Sequence, residues 1–229
     1  MRILALETSG SSGSVAALDA SQLILEQALA GGSRSAQSLA PGIEALLAEV
    51  GWSLGQVDLI AVTQGPGSFT GLRIGVTTAK ALAYAVAGRL VGVNTLAVIA
   101  RQAPVQQTLW TVLDAQRGEL FAARFSPSAP DCHAETIEVQ VVDRDTWLAQ
   151  LAAGDAVSGP GLERLEPGIR SDVTVVGRQF WLPKAETVGR LGYERSLVRG
   201  HDDLFQLTPQ YFRQAAAEEK WERQHGPTG

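Results

Sequence analysis

The segment that most constrains this chain is a strand-like apolar run that turns through glycines into a long helical stretch. Residues 57–63 contain Leu59, Ile60, Ala61 and Val62 in succession. A strand without polar alternation is covered on both faces, so helices pack on both sides of its sheet. The turn and the helix start read Gly65-Pro66-Gly67-Ser68-Phe69-Thr70-Gly71-Leu72-Arg73-Ile74-Gly75. Glycine-rich turns that open helices can cradle phosphates. A Walker A loop needs Gly-Lys-Ser/Thr, yet Leu72 and Arg73 follow Gly71; the dinucleotide fingerprint needs glycine at position 70, where Thr70 stands. What the spacing leaves is a sharp turn in which glycine supplies unusual dihedrals and Ser68 or Thr70 caps the helix.

The helix, expected to run to about Ala87, has Gly71, Gly75, Ala79, Ala83 and Ala87 at steps of four. Residues four apart share a helix face. A strip without bulk allows a close neighbour to approach. Each glycine costs about 1 kcal/mol of helix propensity relative to alanine, so something must offset it. Two uses stay open: packing on the chain's own sheet, and pairing with a helix of another molecule, as small-xxx-small helices do in membranes.

Around this segment the pattern predicts strands at 3–6, 14–18 and 23–28, joined by short loops rich in Gly, Ser and Asp, and a helix over 36–50 stopped by Gly51. A strand at 90–93, a helix at 95–103 and a strand at 109–113 follow. The order βββαβαβα implies a mixed sheet flanked by helices. After Asp114 it begins again, with strands at 119–125, 136–142 and 173–176 and helices at 143–151 and 185–198. Residues 126–131 read as a loop, and the tail beyond Gln214 reads as frayed. These signals divide the chain into lobes 1–104 and 105–229.

Composition excludes several classes. The net charge is -5, from 19 Lys+Arg against 24 Asp+Glu, and no basic run stands out. Such a chain does not grip a phosphate backbone alone. Charged residues make up 19%, low for a protein whose whole surface meets water, which hints at a covered surface. One cysteine, Cys132, excludes an internal disulfide framework and fits a reducing compartment. Glu7 arrives too early for a secretory leader, and Arg89 and Asn94 break the most apolar stretch, so the expected location is the cytoplasm, without membrane contact. His133, His201 and His225 lie far apart, so no metal-binding His-x-x-x-His pair exists; Cys132-His133 and His201-Asp202-Asp203 read as surface turns. Gly10-Ser11-Ser12-Gly13 and Gly67-Ser68-Phe69-Thr70-Gly71 both miss the Gly-x-Ser-x-Gly spacing of a hydrolase elbow.

Residues 65–75, with Thr78-Ala79-Lys80-Ala81-Leu82-Ala83 beyond them, resemble the signature of the TsaB (YeaZ) family. Ile3-Leu4-Ala5-Leu6-Glu7-Thr8-Ser9, Leu39-Ala40-Pro41, Leu113-Asp114-Ala115-Gln116-Arg117 and Pro209-Gln210-Tyr211-Phe212-Arg213 resemble other parts of it. The resemblance implies an α/β, actin-like (ASKHA) fold of two ribonuclease-H-like lobes. It also implies a non-catalytic subunit in the synthesis of N6-threonylcarbamoyladenosine (t6A) on tRNA. The implied partners are a TsaD-like catalytic subunit, a TsaE-like ATPase and, for the isolated protein, a second copy; tRNA is reached only through the complex. No cofactor is implied. The implied docking helix includes Thr70, Gly71, Arg73, Ile74, Gly75, Thr78, Ala79, Leu82 and Ala83. Glu7, Thr8, Asp114 and Arg117 are candidates to face a cleft between the lobes. The chain departs from the family in having Glu7-Thr8-Ser9 for Asp-Thr-Ser, and Ser35-Ala36-Gln37 for His-Ser-Glu. Two alternatives remain: an ATP-using actin-like enzyme of sugar-kinase type and a glycoprotease-like metallopeptidase.

Overall fold

The computed structural model describes residues 1–29, 35–126, 138–165 and 168–213. Two mixed sheets of five strands each organise these residues. The first contains β1 (Arg2–Glu7), β2 (Ser14–Asp19), β3 (Gln22–Ala28), β4 (Leu59–Gly65) and β5 (Arg89–Asn94), in the order β3-β2-β1-β4-β5. β1–β2 and β2–β3 are antiparallel; β1–β4 and β4–β5 are parallel. The parallel pairs need crossovers, supplied by α1 (Ser35–Glu49) and α2 (Phe69–Val86). β4 is buried along most of its length, as its unbroken apolar run predicts.

The second sheet contains β6 (Leu109–Gln116), β7 (Glu119–Phe125), β8 (Gln140–Asp143), β9 (Ala156–Ser158) and β10 (Thr174–Val175), in the order β10-β9-β6-β7-β8. β6–β7 and β7–β8 are antiparallel; β6–β9 and β9–β10 are parallel. Strand for strand, this repeats the first sheet, so the renewed order after Asp114 is a duplication of topology. α4 (Arg144–Gln150), capped by Asp143 accepting from Thr146 N, bridges β8 and β9. All but the first residue of the loop expected at 126–131, the pair Cys132-His133, the first residues of the strand expected at 136–142, and the tail beyond Gln214 lie outside the described residues.

Alternation along β1 sends Leu4 and Leu6 to one side and Ile3 and Ala5 to the other. Leu39, Ile43 and Leu46 of α1 and Val76, Ala79 and Ala83 of α2 pack on the first side. The second side is covered by Ala97 and Val98 of α3 (Thr95–Gln102) and by Ala185, Val188 and Leu191 of α5 (Ala185–Arg199). Burying a side chain the size of Leu or Ile contributes about 2 kcal/mol, so this two-sided core is what holds β1 and β4 central.

α5 crosses the boundary of the sequence-based division into lobes. Residues 185–199 follow the second sheet in sequence, yet they pack on the first. Gly189 and Gly192 permit this approach: a Cβ on Gly189 would stand 2.4 Å from Leu18 Cδ1, and one on Gly192 2.6 Å from Ala61 Cβ. α3 has the joining role. Its Leu96 and Ile99 meet Leu113, Ala115, Phe121 and Ala123 of the second sheet. Among the described residues no helix is long and apolar enough to cross a membrane.

Candidate functional site

The glycine-rich turn is a lock between two loops. Ser68 caps α2, its side chain accepting from Gly71 N at 3.2 Å. Ser68 N donates to Ser9 O at 2.7 Å, and Thr8 Oγ1 donates to Gly71 O at 2.8 Å. Gly67 has φ +156°, and a Cβ there would lie 2.5 Å from Ser9 O. A Cβ on Gly71 would lie 2.0 Å from Thr8 O, and one on Gly75 would overlap Thr8 Oγ1, at 2.1 Å from that atom. The most specific run in the sequence is therefore a close approach of the β4–α2 turn to the end of β1.

This settles the use of the small-residue strip. Gly71, Gly75, Ala79 and Ala83 are buried against the chain's own sheet. They do not form a groove open to another helix, and the offset for the two glycines is intramolecular. Ile74, Thr78 and Leu82 are half-buried, with Ile74 and Leu82 packed against the same core. Thr70 and Arg73 are exposed. Of the nine residues assigned to docking, these last five retain surface.

The outward side of α2 is Thr70, Thr77, Ala81, Tyr84 and Ala85, all exposed and uncharged. Tyr84 is 72% exposed. α2 has only two charged residues, the exposed Arg73 and the half-buried Lys80, and both bond to the segment 203–213, which crosses the helix along one flank. Lys80 Nζ donates to Phe205 O at 3.2 Å and to Leu207 O at 3.0 Å. Arg73 Nε donates to Tyr211 Oη at 2.8 Å. The Arg73 guanidinium carbon stands 3.9 Å from the centre of the Phe69 ring, whose centre lies 4.6 Å from that of Tyr211. Sequence reasoning quoted Tyr211 only as part of a family pattern; its contact with Arg73 spans 138 residues and left no local signal.

The same strap is anchored elsewhere. Asp202, expected in a solvated turn, accepts from Arg195 NH2 at 2.6 Å and from Gly92 N at 2.7 Å. Gln210 N donates to Gln64 O at 2.7 Å. Phe212 meets Phe121 at 6.4 Å between ring centres, and Arg213 pairs with Glu119 at 2.8 Å. The strap thus joins α2 to the β6–β7 hairpin.

A cleft of about 710 Å³ opens between the sheets. Its first wall comes from residues 9–12 and 66–69, its second from 113–117, Arg144 and Pro160, Gly161, Glu163 and Arg164. Of the four candidate cleft residues, Asp114 and Arg117 line it, and Glu7 and Thr8 do not. Both are fully buried behind Ser9. Glu7 Oε1 accepts from Ser9 N at 2.7 Å, from Ser9 Oγ, and from Thr63 Oγ1 at 3.4 Å, while Oε2 has no protein partner. Burial raises the Glu7 pKa to about 7, against the opposing hydrogen bonds from Ser9 and Thr63. The longer glutamate, where the family has aspartate, is folded back on its own turn rather than offered to the cleft. Among the described residues no three His, Cys, Asp or Glu side chains gather as metal ligands.

A family model described as TsaD, tRNA N6-adenosine threonylcarbamoyltransferase, matches residues 30–150. An uncharacterized protein of Mycobacterium tuberculosis is 31% identical over 149 residues, which is 65% of this chain and 70% of that protein. The tRNA threonylcarbamoyladenosine biosynthesis protein TsaB of Bacillus subtilis is 28% identical over 96% of this chain and 98% of its own length. The solved structure of YeaZ from Pseudomonas aeruginosa covers 92% of this chain and 99% of its own, at 27% identity and a TM-score of 0.75. The two flanked mixed sheets are accordingly an actin-like fold of this type. With its signature residues locked against Thr8 and Ser9, the chain belongs to the TsaB (YeaZ) family, itself related to the threonylcarbamoyltransferases of the matching model.

Proposed function

We propose that this protein is a non-catalytic subunit of the machinery that makes t6A on tRNA, and that it docks a TsaD-like catalytic subunit through the outward side of α2. The observation that carries the docking is the absence of charge from that side. Thr70, Thr77, Ala81, Tyr84 and Ala85 lie in a row that water reaches, while Arg73 and Lys80 are held to the strap flank. Protein interfaces deplete charge at their centre and favour an aromatic anchor. An exposed tyrosine among small residues has that composition.

The partner assignment comes from the names of the relatives: a TsaB of Bacillus subtilis across nearly the whole chain and a threonylcarbamoyltransferase model across residues 30–150. In the same proposal a TsaE-like ATPase joins the pair, the isolated chain self-associates through α2, and tRNA is met in the complex, in the cytoplasm. The acidic balance of the chain, a net charge of -5, supports the tRNA part, since it disfavours holding a phosphate backbone alone.

The test is co-elution with the TsaD-type protein of the same organism. The wild-type chain forms a complex, and Tyr84→Arg weakens it by about 2 kcal/mol, roughly thirtyfold in Kd. Its melting temperature stays put, because the ring is 72% exposed. A Tyr84→Arg chain that binds as well as wild type removes the outward side of α2 as the docking surface.

A further inference from the structure

A carboxyl group is shut inside the first sheet with one of its oxygens unused. Glu7 is fully buried. Ser9 N, Ser9 Oγ and Thr63 Oγ1 all donate to its Oε1, and Oε2 has no protein partner. A neutral acid with its proton on Oε2 is tolerated in such a place. A carboxylate there leaves half of its charge without a donor or water, which is far more costly.

The neighbouring elements give that charge no relief. β2 faces Glu7 with the uncharged Ser14, its partner in register, and β4 with Thr63. Ser14 Oγ donates at 3.2 Å to Glu26 Oε1 on β3, which also accepts from Glu186 N at the start of α5. The charge that acts on Glu7 is that of Glu26, of like sign. The cations are engaged elsewhere or face water: Arg190 pairs with Glu186, Arg101 of α3 with Glu194, the two cations of α2 bond to the strap, and Lys184 is exposed.

Water is close on one side. Behind Ser9, Gly10 is half-buried and Ser11 and Ser12 are exposed. Ser9 is also the link to α2, since its carbonyl accepts from Ser68 N at 2.7 Å and Ser68 caps the helix. Moving Ser9 outward therefore hydrates Oε2 and unfastens the cap in one step. We propose that Glu7 is a proton-operated latch: as the acid it holds the 9–12 loop against the glycine turn, and on losing its proton it lets that loop open and frees the start of α2. Burial outweighs the three donated bonds and sets the closed form to ionise at about 7, against 4.5 in water. Between these values the closed form binds the extra proton, so a rise in pH through this window favours the open form.

Hydrogen exchange on the isolated full chain, followed amide by amide by NMR, tests the latch apart from any docking. From pH 6 to pH 8 the protection of the Ser9 and Ser68 amides falls about tenfold, once the intrinsic pH dependence of exchange is removed. Low urea leaves these two amides unmoved, because opening a loop exposes little surface, while the Ala61 and Val62 amides of β4 respond to it. Glu7→Gln has the same protection at both pH values. Glu26→Gln, which keeps an oxygen for Ser14 and Glu186, removes the like charge and moves the midpoint to lower pH; it decides the matter if Glu7→Gln does not fold. Flat protection in wild type, an equal fall in folded Glu7→Gln, a urea response matching that of β4, or a midpoint that stays or rises in Glu26→Gln would each overturn the proposal.

Discussion

Glu7 is a residue whose position costs stability at neutral pH. Its carboxyl ionises near 4.5 in the unfolded chain and at about 7 in the folded one, because burial disfavours the charge. Between these values the folded state holds the extra proton, so stability falls as pH rises through this window and the loss is complete above about 7. The span of about 2.5 pH units corresponds to roughly 3 kcal/mol at most. Thermal melts should show the melting temperature dropping from pH 5 to pH 8 in wild type and a flatter profile in Glu7→Gln, which has no proton to lose. An equally steep profile in the variant would assign the effect elsewhere. Gly71 makes a second residue-scale prediction. A methyl group there would meet Thr8 O at 2.0 Å, and a backbone oxygen cannot rotate away. Gly71→Ala should therefore lower unfolding free energy by about 2 kcal/mol in urea titrations, despite alanine's better helix propensity.

Among the elements, α2 is used on three sides. Its small residues touch β1, its charges hold the strap, and its uncharged side faces water. A bulky substitution at Gly75 would break the first side as well as any partner contact, so docking is tested at Tyr84. The helix was legible because its period is local: residues 69–86 repeat every turn, and Ser68 marks the start. α5 was legible as a helix but not as a neighbour of β1, because Gly189 and Gly192 carry no record of what they approach. Gly189→Val should push α5 off Leu18 and cost about 3 kcal/mol, read as a lower urea midpoint with the slope of the transition retained. β9, only three residues long, gave no periodicity at all and is held by pairing with β6. Element α1 tolerates Pro41 inside it, against the usual penalty for an interior proline.

Across the molecule, the strap ties three parts together: β5 through Asp202, α2 through Tyr211, and the second sheet through Phe212 and Arg213. A chain ending after Gly200 loses Leu207 from the first core and all these bonds, and should melt several degrees lower in calorimetry. What residue order determined by itself was most of the strands and helices, the renewal of their order after Asp114 and the family signature, because periodicity, caps and glycine turns act over a few residues. What only tertiary structure decided was which surface each element turns to which neighbour. The small strip of α2 faces Thr8 inside the molecule, α5 returns to the first sheet, and Glu7 is hidden while arginines face the cleft. Those outcomes depend on contacts between residues tens of positions apart, whose free energy comes from excluding water between surfaces that no local pattern pairs.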